Sequence, residues 1–318
     1  MRMLNESRLD PNYQFGDNRQ PAKPHSLLDI AIDRQATELA IWLTRNGADI
    51  NRKRTGWTPL MCACARSDAK IIDALIAAGA KIDTRASRDD EGNSGATALM
   101  IAADRGNFQA VDRLLDAGAN PGLRTPKGQT AAHFALSTKK EDANRLKVLR
   151  ELVRAGCPLC GNELHRPVYE RNWRYVEALL KLGCPVNERL RHNVDHGPRK
   201  GETPLTLAVR NDGPDWLSMG GAGFTNTMRV RLQIVEALLA AGADPNLPDA
   251  KGRVPLMVVD AEGEPQIANL LLDAGADPSL VDKKIVAKRD ERKKKNARLL
   301  SGANEKNKRE FLALWNAN

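Results

Sequence analysis

Five cysteines and five histidines are the residues here whose types suit metal binding or acid–base work. Their densest grouping is Cys157-Pro158-Leu159-Cys160-Gly161, followed by His165, Cys184, His192 and His196. Zinc takes four such ligands in a tetrahedron, and one Cys-x-x-Cys is half of a ribbon site. No second Cys-x-x-Cys completes it, so the expectation is no bound metal and no cofactor. His192-Asn193-Val194-Asp195-His196 sets two imidazoles around a carboxylate, in what reads as a long connector. Asp89-Asp90-Glu91 sits among Gly, Asn and Ser, the composition of a solvated turn. Gly220-Gly221-Ala222-Gly223 has no strand before it and no Lys-Ser/Thr after it, so it reads as a flexible insertion. With no His-Glu-x-x-His and no Gly-x-Ser-x-Gly, the chain is expected to be non-catalytic.

The elements that would position any site come from a repeat. Seven apolar helical runs end in a Gly-Ala or Gly-Cys pair, with the glycine at 47, 79, 118, 156, 183, 242 and 275. Four residues before each glycine stands a leucine: Leu43, Leu75, Leu114, Leu152, Leu179, Leu238 or Leu271. A period of this length means stacked units, each a pair of helices, and not one closed globule. In the unit that starts at Thr97, small and apolar residues at helical spacing run to Ala103. Gly106-Asn107 makes a turn, Val111, Leu114 and Leu115 continue a second helix, and Gly118 stops it. Five units take 21 residues from opening to closing glycine; the fourth takes five extra and the sixth eighteen extra, placed around 211–230 between its helices. Insertions in such arrays fall on one face, often the binding face. The connector from 156 to 162 is half the usual length, so a step in the array is expected there.

Thr58-Pro59-Leu60, Thr203-Pro204-Leu205 and Val254-Pro255-Leu256 open three units, and Thr130 to His133 and Leu164-His165 keep a histidine. These openings resemble the ankyrin repeat over roughly residues 26–282. The resemblance implies an all-α solenoid of seven units with short hairpin connectors. It also implies a non-catalytic module that docks a protein partner on its connector tips and first-helix face. Cys157 and Cys184 then occupy the slot that holds alanine elsewhere, and Cys62 and Cys64 fall in first-helix core slots. His133 and His165 take the family's histidine slot, where backbone bonding is expected. Pro167 falls inside a first helix, where it removes a donor.

The docking positions so implied are basic. Arg54 and Trp57 lie on the first connector with Arg52 and Lys53; Arg85 and Arg88 lie on the second; Arg124 and Lys127 on the third; Arg189, Arg191 and His192 on the fifth. Arg66 and Arg105 hold first-helix slots. The expected partner is an acidic protein surface, with an inhibitor or immunity-type role as the concrete form. Nucleic acid is the alternative, disfavoured because only Trp57 could stack a base along the row. Trp216 and Phe224, in the sixth-unit insertion, are either tucked against the array or held for a partner.

The net charge of +9 sits mostly at one end: residues 281–318 carry twelve Lys and Arg against five Asp and Glu, leaving 37 against 35 for 1–280. Residues 283–318 are expected to form a basic helical cap over the last repeat, a basic arm being the other reading. Residues 1–25 read as a polar, partly disordered leader without an apolar signal core. No apolar run reaches 18 residues, so no membrane span is expected. Unpaired cysteines fit a reducing compartment. The expectation is a cytoplasmic protein, monomeric on its own.

Overall fold

In four of the seven units the opening residue starts its helix with a hydroxyl cap. Ser26 Oγ accepts the Asp29 N–H at 3.1 Å, Thr58 Oγ1 that of Met61 at 3.4 Å, Thr97 Oγ1 that of Met100 at 3.4 Å and Thr203 Oγ1 that of Thr206 at 3.1 Å. Each bond satisfies an amide that a helix N-terminus would otherwise leave orphaned. The computed structural model describes residues 10–12, 14–17, 20–87, 95–136, 143–191, 197–210, 223–262 and 265–280. Within these, fourteen helices form seven pairs: α1 (Leu27–Asp33) and α2 (Thr37–Arg45), α3 (Pro59–Arg66) and α4 (Ala69–Ala77), α5 (Ala98–Asp104) and α6 (Phe108–Asp116), α7 (Ala131–Ala135) and α8 (Ala143–Arg154), α9 (Asn162–Tyr169) and α10 (Trp173–Lys181), α11 (Pro204–Val209) and α12 (Gly223–Ala240), α13 (Pro255–Glu262) and α14 (Pro265–Asp273). The expected all-α repeat solenoid is the fold.

The Leu-x-x-x-Gly-Ala signature is a helix-ending device. Every closing glycine has φ between +76° and +90°. A Cβ built on any of the seven would meet nothing within 4 Å, so the backbone angle alone demands glycine. The next residue then turns its N–H back to the leucine carbonyl, as Ala119 does to Leu114 at 2.9 Å and Cys157 to Leu152 at 2.8 Å. All seven leucine side chains are fully buried. Gly118→Ala is therefore expected to lower stability by about 1–2 kcal/mol through the left-handed backbone alone, with no change in packing; urea unfolding of the variant checks this.

The chain divides into two compact units, Met1–Glu163 and Leu164–Asn318, one residue past the short 156–162 connector. In the first, α1, α3, α5 and α7 pack side by side, and α2, α4, α6 and α8 form a second layer beside them. In the second, α11 packs on α13, while α10, α12 and α14 form the other layer. Pro167 does sit inside α9, which continues for two residues beyond it.

Two features depart from expectation. Part of the stretch read as a polar, partly disordered leader, 1–25, is regular structure. β1 (Gln14–Asp17) and β2 (Gln20–Ser26) pair antiparallel and deliver the chain to the α1 cap. Asn12 Nδ2 donates to the Gly47 carbonyl at 3.1 Å, and its Oδ1 accepts the Asp49 N–H at 2.8 Å. Asn187 makes the same pair of bonds to Gly242 and Asp244, and Asn246 to Gly275 and Asp277. Asp10-Pro11-Asn12 thus stands in the register of Asp244-Pro245-Asn246, and the hairpin after it is a repeat connector. The second departure lies in the sixth unit, where α12 begins at Gly223 and takes the last part of the expected 211–230 insertion into helix. The proposed cap at 283–318 lies outside the described residues.

Candidate binding surface

Along the connectors of the first unit, basic side chains reach sideways to the next connector. Lys53 Nζ donates to Ser87 Oγ at 3.3 Å. Arg85 Nη1 donates to the Arg124 carbonyl at 2.6 Å and to Gly95 at 3.3 Å. Arg124 Nη1 in turn donates to Cys160 Sγ at 2.8 Å and to the Gly128 carbonyl at 3.3 Å. Arg85, Arg124 and Lys127 are nonetheless exposed. Arg54 and Trp57 face each other across a tight hairpin through backbone bonds of 2.8 and 2.9 Å. Arg54 also pairs with Asp33 at 2.6 Å, and Arg66 reaches the other oxygen of the same carboxylate at 3.4 Å. Those two arginines therefore act first on α1. Arg105 is exposed at the end of α5. Arg189 and Arg191 are exposed in the second unit. Arg88, His192 and Trp216 lie outside the described residues, as does the side chain of Phe224, whose backbone belongs to α12.

Cys64, Cys157, Cys184, His133 and His165 are built into the repeat. His165 is fully buried, with Nε2 2.8 Å from the Glu202 carbonyl, the backbone bond expected of its slot. Burial pushes the Cys64 and Cys157 thiols up. Cys62 is only half-buried, not a core residue as expected; burial, with Asp29 and Asp33 nearby, still pushes it up to about 12. Buried thiols of this kind are inert. Among the described residues no group of three or more His, Cys, Asp or Glu is placed to hold one ion.

His133 is the titratable group that departs from plain backbone bonding. Its Nδ1 is 3.3 Å from the Thr130 N–H and 3.1 Å from Oε1 of Glu163, whose side chain is wholly buried and whose Oε2 accepts the Cys160 N–H at 3.0 Å. Burial holds His133 below its usual 6.5, while Glu163 pulls it back up. A histidine depressed in the folded state contributes stability above its unfolded pKa and loses it as pH falls towards the folded value. Acidification from about pH 7 to 5 should therefore lower the urea midpoint more for the native chain than for His133→Gln. Equal slopes for the two would refute this role.

Three arginines that sequence reasoning passed over hold the interrupted units together. In the first, second, third and fifth units the residue eleven before the closing glycine (Ala36, Asp68, Asn107, Asn172) sends its N–H to the carbonyl five after the opening (Ala31, Ala63, Ala102, Pro167), at 2.8–3.4 Å. In the fourth and sixth, where the inter-helix segment is longer, that slot holds Arg145 and Arg231. Their guanidinium groups reach the same carbonyl position, Ala135 at 3.2 Å and Ala208 at 3.2 Å. Arg145 also bonds the Asp104 carbonyl, and Arg231 that of Val209 at 2.6 Å. Arg171, at φ 58°, adds bonds to the Ala208 and Arg210 carbonyls at 3.3 and 2.6 Å. A helix end that has lost its backbone donor is closed by a long cation. The signal was in the sequence as Arg against Ala, Asp or Asn at one repeat position.

The family description "Ankyrin repeats (3 copies)" matches residues 8–86, 28–125 and 83–163, and "Ankyrin repeat" matches 200–250. The chain is an ankyrin-repeat protein. The first match begins inside the stretch read from sequence as a leader, in agreement with the connector register of Asn12. Among solved structures, an ankyrin repeat domain from Acinetobacter baumannii AYE is 28% identical, with a TM-score of 0.53 over 69% of this chain and 98% of that one. The ankyrin repeat domain of Bcl-3, described as a unique member of the IkappaB protein family, is 20% identical with a TM-score of 0.57, over 78% and 98%. That of human ASB11 is 19% identical with a TM-score of 0.55, over 80% and 100%. The last two share the fold of this ankyrin-repeat chain. Among its described residues no helix is long and apolar enough to cross a membrane.

Proposed function

We propose that this ankyrin-repeat protein is a non-catalytic module that binds an acidic surface of a protein partner through the connector tips and exposed first-helix ends of its repeats. One observation carries the reading: Arg85 and Arg124, on consecutive connectors, are exposed and already held in place by the connectors beside them. Fixed arginines lose little freedom on binding and are favoured interface anchors. An inhibitor that covers a partner's working surface is the form of this role with the simplest requirements, since a binding face is all it needs. The five free thiols fit a reducing, cytoplasmic setting. Trp216 and Phe224 belong to the proposal as a second, apolar anchor.

The test starts from a partner captured from native lysate. Reversing Arg85 and Arg124 together to Glu should slow its association, and Trp216→Ala should speed its dissociation. If the double reversal changes affinity by less than about threefold at unchanged melting temperature, this surface is not the site. Nucleic acid is the competing reading, motivated by the +7 of residues 281–318. It requires affinity to fall about a thousandfold or more between 50 and 200 mM salt.

A further inference from the structure

We infer that Arg85 and Arg124 form a two-pronged clamp for an extended acidic segment whose carboxylates recur every third residue. This rests on the reading of the connector edge as the binding surface. Each arginine is pinned through Nη1 alone in the bonds above, Arg85 to Arg124 and Gly95, Arg124 to Gly128 and Cys160. A planar guanidinium held at one nitrogen still presents its other edge, and an edge with two N–H groups matches a carboxylate bidentately. Pinning also fixes the plane before the ligand arrives, which lowers the ordering cost of binding.

Spacing selects the ligand. The two arginines belong to neighbouring connectors, and elements stacked side by side in such a layer lie about 10 Å apart. An extended polyproline-II chain advances about 3.1 Å per residue with about three residues per turn, so carboxylates three residues apart share one face and match one connector step. Lys53 on the first connector and Lys127 on the third are exposed as well. A helix would need seven residues per step and, with a diameter near 10 Å, a groove to lie in; hairpin tips form a narrow edge. Among the described residues, the acidic side chains on this edge are engaged: Asp49 accepts the Asn51 N–H at 3.1 Å, and Asp83 the Asn120 N–H at 3.1 Å.

Cys160 is a positioning residue in this scheme. Its sulfur receives Arg124 Nη1 and so aims the second prong. Removing the sulfur leaves every charge on the edge unchanged.

The experiment is a fluorescence-polarisation titration of the full chain with labelled synthetic peptides. Three have identical composition: Glu at every third position, the same Glu residues contiguous, and Glu at every seventh. The every-third peptide should bind about tenfold tighter than either isomer. Arg85→Lys and Arg124→Lys should each weaken it several-fold although charge is kept, and Cys160→Ala should weaken it about threefold at unchanged melting temperature. Equal binding of the three isomers, or lysine variants as good as the native chain, would overturn the clamp while leaving a basic edge in place. Preference for the every-seventh peptide would overturn it in favour of a helical ligand. If no acidic peptide binds the native chain, both the clamp and the acidic-partner reading fail.

Discussion

Replacing Arg231 with methionine should destabilise the second compact unit by about 2–4 kcal/mol, the cost of leaving one buried carbonyl without a donor and weakening the bonding of another. Arg231 is 2% exposed and is the largest of the fully buried side chains. Methionine fills much of the same volume, so the loss reports the polar contacts and not a cavity. The Val209 carbonyl would lose its Arg231 donor, and an orphaned buried carbonyl costs about 1–3 kcal/mol; the Ala208 carbonyl would keep only the Arg171 bond at 3.3 Å. Arg231→Lys should recover part of the loss, since an ammonium brings charge but not two separated donors. Arg145→Met should weaken the first unit by the same mechanism. Urea unfolding followed by circular dichroism gives the numbers. A change below about 0.5 kcal/mol for both methionine variants would mean that water or the inserted segments close these helix ends instead.

Leu114→Ala should cost the first unit about 2–5 kcal/mol, as for other buried leucines. Leu114 is fully buried on α6, and its own carbonyl takes the Ala119 N–H that ends the helix. The side chain and the helix stop thus fail at one place. In a stacked array each unit contacts only its neighbours, so a weakened third unit also uncouples the second from the fourth. The expected signature is a lower melting temperature with a broadened transition. A sharp, unshifted transition would show that the leucine register does not define the core.

Much of this was legible in the residues. The leucine four before each glycine, the glycine itself and the Thr or Ser opening each answer to local physics: a core slot, a left-handed φ and an amide that needs a cap. Such features repeat because each unit solves the same problem, so periodicity exposes them without knowledge of the fold. The basic character of the connectors was equally plain.

What the side chains do across the repeats was not. Arg54, Arg66, Arg85 and Arg124 read alike in sequence as exposed cations. The structure spends the first two on Asp33 and pins the last two to the next connector. Asp10-Pro11-Asn12 looked like part of a polar leader because no Leu-x-x-x-Gly-Ala signature stands before it in the sequence; its role appears only when Asn12 meets Gly47 and Asp49, 35 and 37 residues away. Arg145 and Arg231 hid for the same reason, since a charged residue at a turn passes as solvated until the carbonyl it closes is known. The sequence by itself determined the repeat, its caps and its core, because those depend on neighbours within about one helical turn or one repeat period. Only the tertiary structure decided which polar groups meet, because hydrogen bonds act over about 3 Å and their partners sit a full repeat or an insertion away along the chain.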